Sequence, residues 1–413
     1  AWAGVLLKAE AEVARGGAGG GRGGGCLSAS LGLAEAHHMR AVVLQEAARQ
    51  ASSAEEEASL RNEGISECHG AHSRYEQALG LGAGPDARAD GASALATWAE
   101  LTSRLEERLQ LLDRAKQEYI VCLESQAEVS GSQANAPTPE TDVDLLMNLG
   151  EALLHRAECL HDMRLDRGAD PRNVDEGDVD AAYDWAFKMY DEACSNADSR
   201  RGDDLSGLLF NWGICLLSAG QRAGSREKAG EFFAQAQTKF EGATQFSAGS
   251  YEPVLGLGDT LMAQADLWAA SGDHTRAWTC TQDALKRGFE VTLGIDRYNV
   301  DATIGVAEAH SALGKIALVP GANPGAAQEH FSQSMQAYQA VLEEPKLRRA
   351  IGGFREVADV QYNCACAAAQ AGHMTAAQQL LAPLFAYKLA DRADALQDAD
   401  LLALHPWLQQ PGP

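Results

Sequence analysis

The chain is short of several things. Of its 413 residues, 6% are aromatic and twelve are proline. Those prolines fall mostly in connecting stretches, so long helices are free to run between them. No apolar run approaches the ~18 residues of a membrane-spanning helix. There is no phosphate-loop lysine motif, no H-E-x-x-H and no G-x-S-x-G, so these nucleotide, zinc-protease and serine-hydrolase signatures are missing. Positive charge is scarce as well: 34 basic residues face 58 acidic ones, a net charge of −24. Such a field repels duplex nucleic acid and anionic membranes, and direct DNA binding is not expected. It fits plain solubility or a basic protein partner.

Nine cysteines are scattered along the chain. Most sit inside helical patterns, where a thiol behaves as a small apolar residue. An odd, unclustered set argues for a reducing compartment rather than a disulfide framework. Cytosol, cilium, mitochondrial matrix and plastid stroma all fit. The chain opens on Ala1 rather than methionine, which leaves room for a targeting peptide already removed. Cys68-His69-x2-His72 lacks a fourth ligand at metal-site spacing. Cys364 and Cys366 fall on different helix faces. His37-His38 has no partner pattern, and Gly80-Leu81-Gly82-Ala83-Gly84 follows a helix rather than the strand a dinucleotide loop needs. No metal ligand, cofactor site or catalytic residue is expected.

What is present is apolar content of 46%, abundant alanine, the best helix former, and a recurring two-part pattern. The clearest copy is Leu209-x2-Trp212-Gly213-x2-Leu216, followed by Ala236-x3-Phe240-x2-Ala243. A small residue beside a large one lets two helices approach closely. Clear first halves recur at Val254-x2-Leu257-Gly258-x2-Leu261 and Tyr362-Asn363-Cys364-Ala365, and weaker ones at Leu95-x2-Trp98-Ala99, Leu146-x2-Leu149-Gly150-x2-Leu153 and Thr303-x2-Val306-Ala307. Second halves recur at Ala71-x3-Tyr75, Ala115-x3-Tyr119, Ala186-x3-Tyr190, Ala277-x3-Thr281-x2-Ala284, Ser334-x3-Tyr338 and Ala377-x3-Leu381.

The pattern resembles the tetratricopeptide repeat family, whose units of about 34 residues read W-x2-L-G-x2-Y, then A-x3-F and a closing P. The resemblance covers roughly residues 30–408. It implies an all-α, right-handed α-solenoid of about seven antiparallel helix pairs. Ala365 to Ala377 has the family's spacing of twelve residues, whereas Gly258 to Ala277 is nineteen, Gly213 to Ala236 twenty-three and Gly150 to Ala186 thirty-six. These additions mark an irregular member with lengthened helices and insertions. The expected division is an N-terminal helix and Gly-rich loop over 1–28, irregular helix pairs over 29–126, a regular array over 143–390 and a cap over 391–413. In the first of these, Trp2, Val5, Leu6, Ala9 and Val13 share one face. Breaks are expected near Gly64 and across Gly80–Gly91, Ala127–Thr141, Arg164–Asp180 and Leu318–Gly325. Ser103–Arg114 contains no Gly or Pro, so a turn or one long helix fits there. Trp407 and Leu408 are placed to cover the last repeat.

The resemblance also implies an interaction scaffold with first helices lining a concave groove. With the Leu-Gly pair as positions 7 and 8, positions 2 and 9 face that groove. Position 2 holds Asp144, Glu252, Asp301 and Asp359; position 9 holds Glu100, Glu151, Asp259 and Glu308. Helix dipoles account for carboxylates near helix starts but not for the mid-helix set. Phe210 and Ile214 make the fourth repeat apolar at the same positions. The alternative is a merely solvated face. Asn148, Asn211 and Asn363 stand where one clamp asparagine of carboxylate-binding members stands, but the other asparagine and the basic residues are missing. The expected role is a non-catalytic scaffold, a structural subunit or assembly factor of a larger complex, that binds a basic or extended protein segment along an acidic groove. The alternatives are a transient co-chaperone-like adaptor and an enzyme with a site on the concave face.

Overall fold

A computed structural model of the chain describes residues 24–51, 53–131, 142–165, 176–197, 202–247, 249–319 and 324–410. Among them every regular element is a helix. The amphipathic stretch over residues 1–15 lies outside these residues, as do most of the Gly-rich segment and 132–141 of the expected linker. By its contacts the chain divides into two compact units, one ending at Ser218 and the other beginning at Ala219.

The first unit contains α1 (Gly24–Arg49), α2 (Ala54–Gly80), α3 (Pro85–Leu101), α4 (Leu105–Gly131), α5 (Val143–Leu165), α6 (Glu176–Asn196) and most of α7 (Gly202–Gln221). From α1 to α6 each helix packs on the next. The helices on either side of residues 132–141 therefore belong to one packed body. Gly64 does not break a helix. It lies buried inside α2, where a methyl group would fall 2.9 Å from Leu101 Cδ1. The break comes earlier, where Ser53 caps α2 by accepting a hydrogen bond from the Glu56 amide at 3.2 Å. The loop expected to reach Gly91 ends at Gly84, because Pro85 suits the first turn of α3. Between α3 and α4 the chain does turn. Thr102 takes an extended conformation (φ −80°, ψ 135°) and separates two helices without Gly or Pro. The Arg164–Asp180 stretch is helical at both ends, in α5 and α6.

The second unit runs through α8 (Arg226–Phe246), α9 (Glu252–Ala270), α10 (His274–Asp283), a π-helical turn (Ala284–Phe289), α11 (Glu290–Ile295), α12 (Val300–Ala317), α13 (Pro324–Glu343), α14 (Pro345–Ala350), α15 (Phe354–Gln370) and α16 (Met374–Ala386). It closes with α17 (Arg392–Ala395), a 3-10 turn (Ala399–Leu404) and α18 (His405–Leu408). The tight turns into α10 and α16 place Gly272 and Gly372 at φ +82° and +86°, where a side chain is strained. Pro345 opens a short extra helix rather than ending the sixth pair.

Packing follows the small-against-large register. Tyr190 lies against Gly150, where a methyl group would stand 3.0 Å from the ring, and stacks on Trp212 at 6.5 Å between centroids. In the second unit Phe240 fills the space at Gly256, Phe331 that at Gly314, and Phe289 that at both Gly258 and Gly305. Each ring is buried to within a few per cent. At the C-terminal end Leu401, Leu404 and Leu408 join Ala365, Ala377 and Leu381 in one core, with Trp407 packed at its edge. The last pair is thus covered by the chain's own end segment.

Candidate functional site: two carboxylate faces

In the first unit the position-9 residues of successive first helices come together around His155 of α5. Its Nε2 lies 3.7 Å from Glu100 Oε1 and 4.0 Å from Glu151 Oε1, while Nδ1 lies 3.3 Å from Glu158 Oε2. Burial opposes a charge on this imidazole, but its hydrogen bond to Glu158 and the fields of Glu100, Glu158 and Glu151 outweigh it and raise the pKa. Glu151 is raised by burial and by Glu100, against the pull of His155. Glu100 is already engaged: Gln45 donates to it and Arg49 Nη2 lies 3.3 Å away. Asp144 is exposed near the start of α5. Phe210 is half-buried on α7, and Ile214, 36% exposed, is its most accessible large apolar residue.

The second unit carries the denser face. Asp259 on α9 and Glu308 on α12 are the position-9 residues of successive pairs, and Asp301 is position 2 of the later one. Burial pushes the Asp259 carboxyl up to about 7, with Glu308 and Asp301 acting in the same direction. Glu308 is raised by burial and then by Asp266, and Asp301 by burial. All three remain exposed to solvent at their outer edges. None of Asp259, Asp266, Asp301 and Glu308 has an ion pair among the described residues. Glu252 accepts a hydrogen bond from Ser250, and Asp359 is exposed on α15.

Beside this face lies a cavity of about 410 Å³, lined among others by Asp266, Glu308, Tyr338, Tyr362, Asp398 and Asp400. Tyr362 donates to Asp398 Oδ2 at 2.9 Å, and Lys315 Nζ sits 2.7 Å from Asp400 Oδ2. Four of its groups escape the sequence register. Asp266 and Lys315 lie two helical turns beyond Asp259 and Glu308, a spacing that keeps them on the same side. Asp398 and Asp400 come from the end segment, whose docking face the repeat pattern does not specify. The oxygens of Asp398 and Asp400 lie with Cys366 Sγ within 4.8 Å of one another. The donor set suits an ammonium better than a metal. Lys315 already supplies a cation there, and burial, then Asp398, drives the Cys366 thiol upward, away from the thiolate a metal binds.

No family model matches the chain, and no curated protein sequence matches it. Solved structures do. The Schizosaccharomyces pombe nuclear import adaptor Nro1 is 14% identical, covers 77% of this chain and 95% of its own, and superposes with a TM-score of 0.45. A thermophilic TPR protein from Thermus thermophilus is 13% identical over 63% of this chain and 97% of its own, at 0.30. A circular tandem repeat protein is 14% identical over 95% and 91%, at 0.34. The fold is that of tetratricopeptide-like helical repeats. Its marks in this chain are the helices packed in sequence and the aromatic rings seated on glycines of neighbouring helices.

Proposed function

We propose that the protein is a non-catalytic interaction scaffold, a structural subunit or assembly factor. Its carboxylate face in the second unit holds a basic, extended segment of a protein partner. The observation that carries this reading is the pairing of Asp259 with Glu308 and Asp301. Lys315, the cation nearest this face, is paired with Asp400, and carboxylates crowded without ion pairs of their own cost free energy that a lysine or arginine from outside would relieve. Tyr338 and Tyr362 add aromatic walls suited to a cationic stem. Glu252 and Asp359 extend the negative field of the second unit; in the first unit Glu100, Glu151 and Asp144 carry the same charge, and Phe210 with Ile214 offers an apolar contact.

The test uses a fluorescent lysine- and arginine-rich peptide, with binding followed as salt rises. Binding should fall by an order of magnitude or more between low and moderate ionic strength, and Asp259→Lys with Glu308→Lys should abolish it. Undiminished affinity in the double reversal would discard the acidic-face reading. Purification from the native source then separates a permanent subunit, which stays stoichiometric through high salt, from a transient adaptor, which does not.

A further inference from the structure

The first unit holds a pocket of the opposite character. Helices α1 to α5 contribute to a cavity of about 220 Å³ whose wall includes Arg49, Arg61, Arg108 and His155 against Glu100 and Glu158. A local excess of positive groups is unexpected in a chain of net charge −24.

Three of the four cations are accounted for. Arg49 lies 3.3 Å from Glu100. Arg61 pairs with Glu57 at 3.0 Å, outside the cavity wall, and donates to the backbone oxygens of Glu100 and Leu101, both at 3.4 Å, at the end of α3. His155 is ringed by glutamates. Arg108 is different. Its Nε is buried without a hydrogen-bond partner, and its guanidinium has no ion pair among the described residues.

An unpaired, partly desolvated cation is costly. A lysine or histidine could escape by losing its proton, but an arginine does not deprotonate in a protein. An anion seated against the guanidinium would relieve that cost. Guanidinium groups recognise carboxylate and phosphate oxygens through parallel N–H donors. Arg61, held by two carbonyls and a carboxylate, is pre-oriented beside Arg108.

We propose that this cavity binds an oxyanion, a carboxylate or phosphate group borne by a partner or small ligand, seated on Arg108 and flanked by Arg61 and Arg49. None of these is one of the asparagines of the repeat register, and the site is independent of the acidic face of the second unit.

The experiment follows the melting temperature of the full chain at constant ionic strength. Inorganic phosphate and acetate are titrated separately against chloride, with Arg108→Gln alongside. Because phosphate stabilises proteins generally, the quantity read is the difference between the two proteins. The expected result is a saturable rise of about 2–4 °C in the native chain that is absent from Arg108→Gln. A response to phosphate alone assigns the site to phosphorylated ligands, and one to acetate alone to carboxylates. Should Arg108→Gln fail to fold, Arg49→Gln serves, and its response should be weakened. Parallel rises in native and variant proteins, or no saturable rise in either anion, would overturn the proposal.

Discussion

Gly288 and Gly258 meet backbone to backbone: a methyl group on Gly288 would fall 2.4 Å from Gly258 Cα. The π-helical turn Ala284–Phe289 makes this contact, and it delivers Phe289 into the gap between Gly258 and Gly305. Neither backbone can yield as a flexible side chain could. Gly288→Ala should therefore destabilise the second unit by about 3 kcal/mol or more. Gly294→Ala, with nothing within 4 Å of the added carbon, should be near neutral or stabilising in α11. Denaturant titration of the two variants compares them directly.

The contact also shows where the sequence is readable. The pairs at Gly150–Tyr190 and in the seventh repeat keep small and large residues in register, and their packing follows from that register alone. Phe289 does not. The position the repeat assigns to an aromatic ring holds Thr281, buried and bonded to the Ala277 carbonyl at 2.8 Å. One extra residue in the π-turn then carries the ring from outside the motif. Break positions are legible where Pro or a capping side chain marks them, as at Ser53 and Pro85, once Gly64 is recognised as a packing glycine. The mid-helix acidic register is legible too. Its neighbours Asp398 and Asp400 are not, because they reach the face through tertiary docking of the end segment.

Trp212 and Tyr190 stack nearly parallel, at 15° between planes, and Trp212 is 9% exposed. The indole is distinctive enough in the sequence to suggest a site, yet its place is in the wall between helices. Trp212→Ala should open a cavity costing ~3–5 kcal/mol. Trp212→Phe should recover most of the loss. Thermal or urea denaturation reads both, and a cost below about 1 kcal/mol for the alanine variant would refute the packing role.

The end segment supplies a comparable test. Leu401 is fully buried against the last helix pair, and Tyr362 reaches from α15 to Asp398. Leu401→Ala should cost ~2–5 kcal/mol, whereas Tyr362→Phe should cost about 1 kcal/mol for the lost hydrogen bond. Increased proteolysis at residues 387–410 in the first variant, and not in the second, would show that the segment detaches as a cover.

Asp259 makes stability fall as pH rises. Its folded pKa, about 7, lies above the ordinary carboxylate value, so between roughly pH 4 and 7 the folded state binds more protons than the unfolded one. The cost of its charge is fully present above pH 7 and disappears on acidification. Asp259→Asn should thus raise the melting temperature at pH 8 and do little at pH 4. Allowing for its solvent exposure, the gain is about 1 kcal/mol, or about 2–4 °C. A variant equally stabilised at both pH values would show that the charge is not the cause.

His155 works with the opposite sign. Its folded pKa is raised, so its ionic contribution is complete below the ordinary histidine value and is lost as pH rises through the folded one. Below the ordinary histidine value the imidazolium sits among Glu100, Glu151 and Glu158; above the raised folded value the three carboxylates face a neutral ring. His155→Gln should therefore lower stability by about 1–2 kcal/mol at pH 6, and by less at pH 9. Glu151, farthest of the three at 4.0 Å, should contribute least, so Glu151→Gln should reduce this pH dependence only slightly, while Glu158→Gln should remove much of it. NMR titration of the His155 ring in the three proteins measures the shift itself, and an unperturbed midpoint in the native chain would dismiss the glutamate ring as its cause.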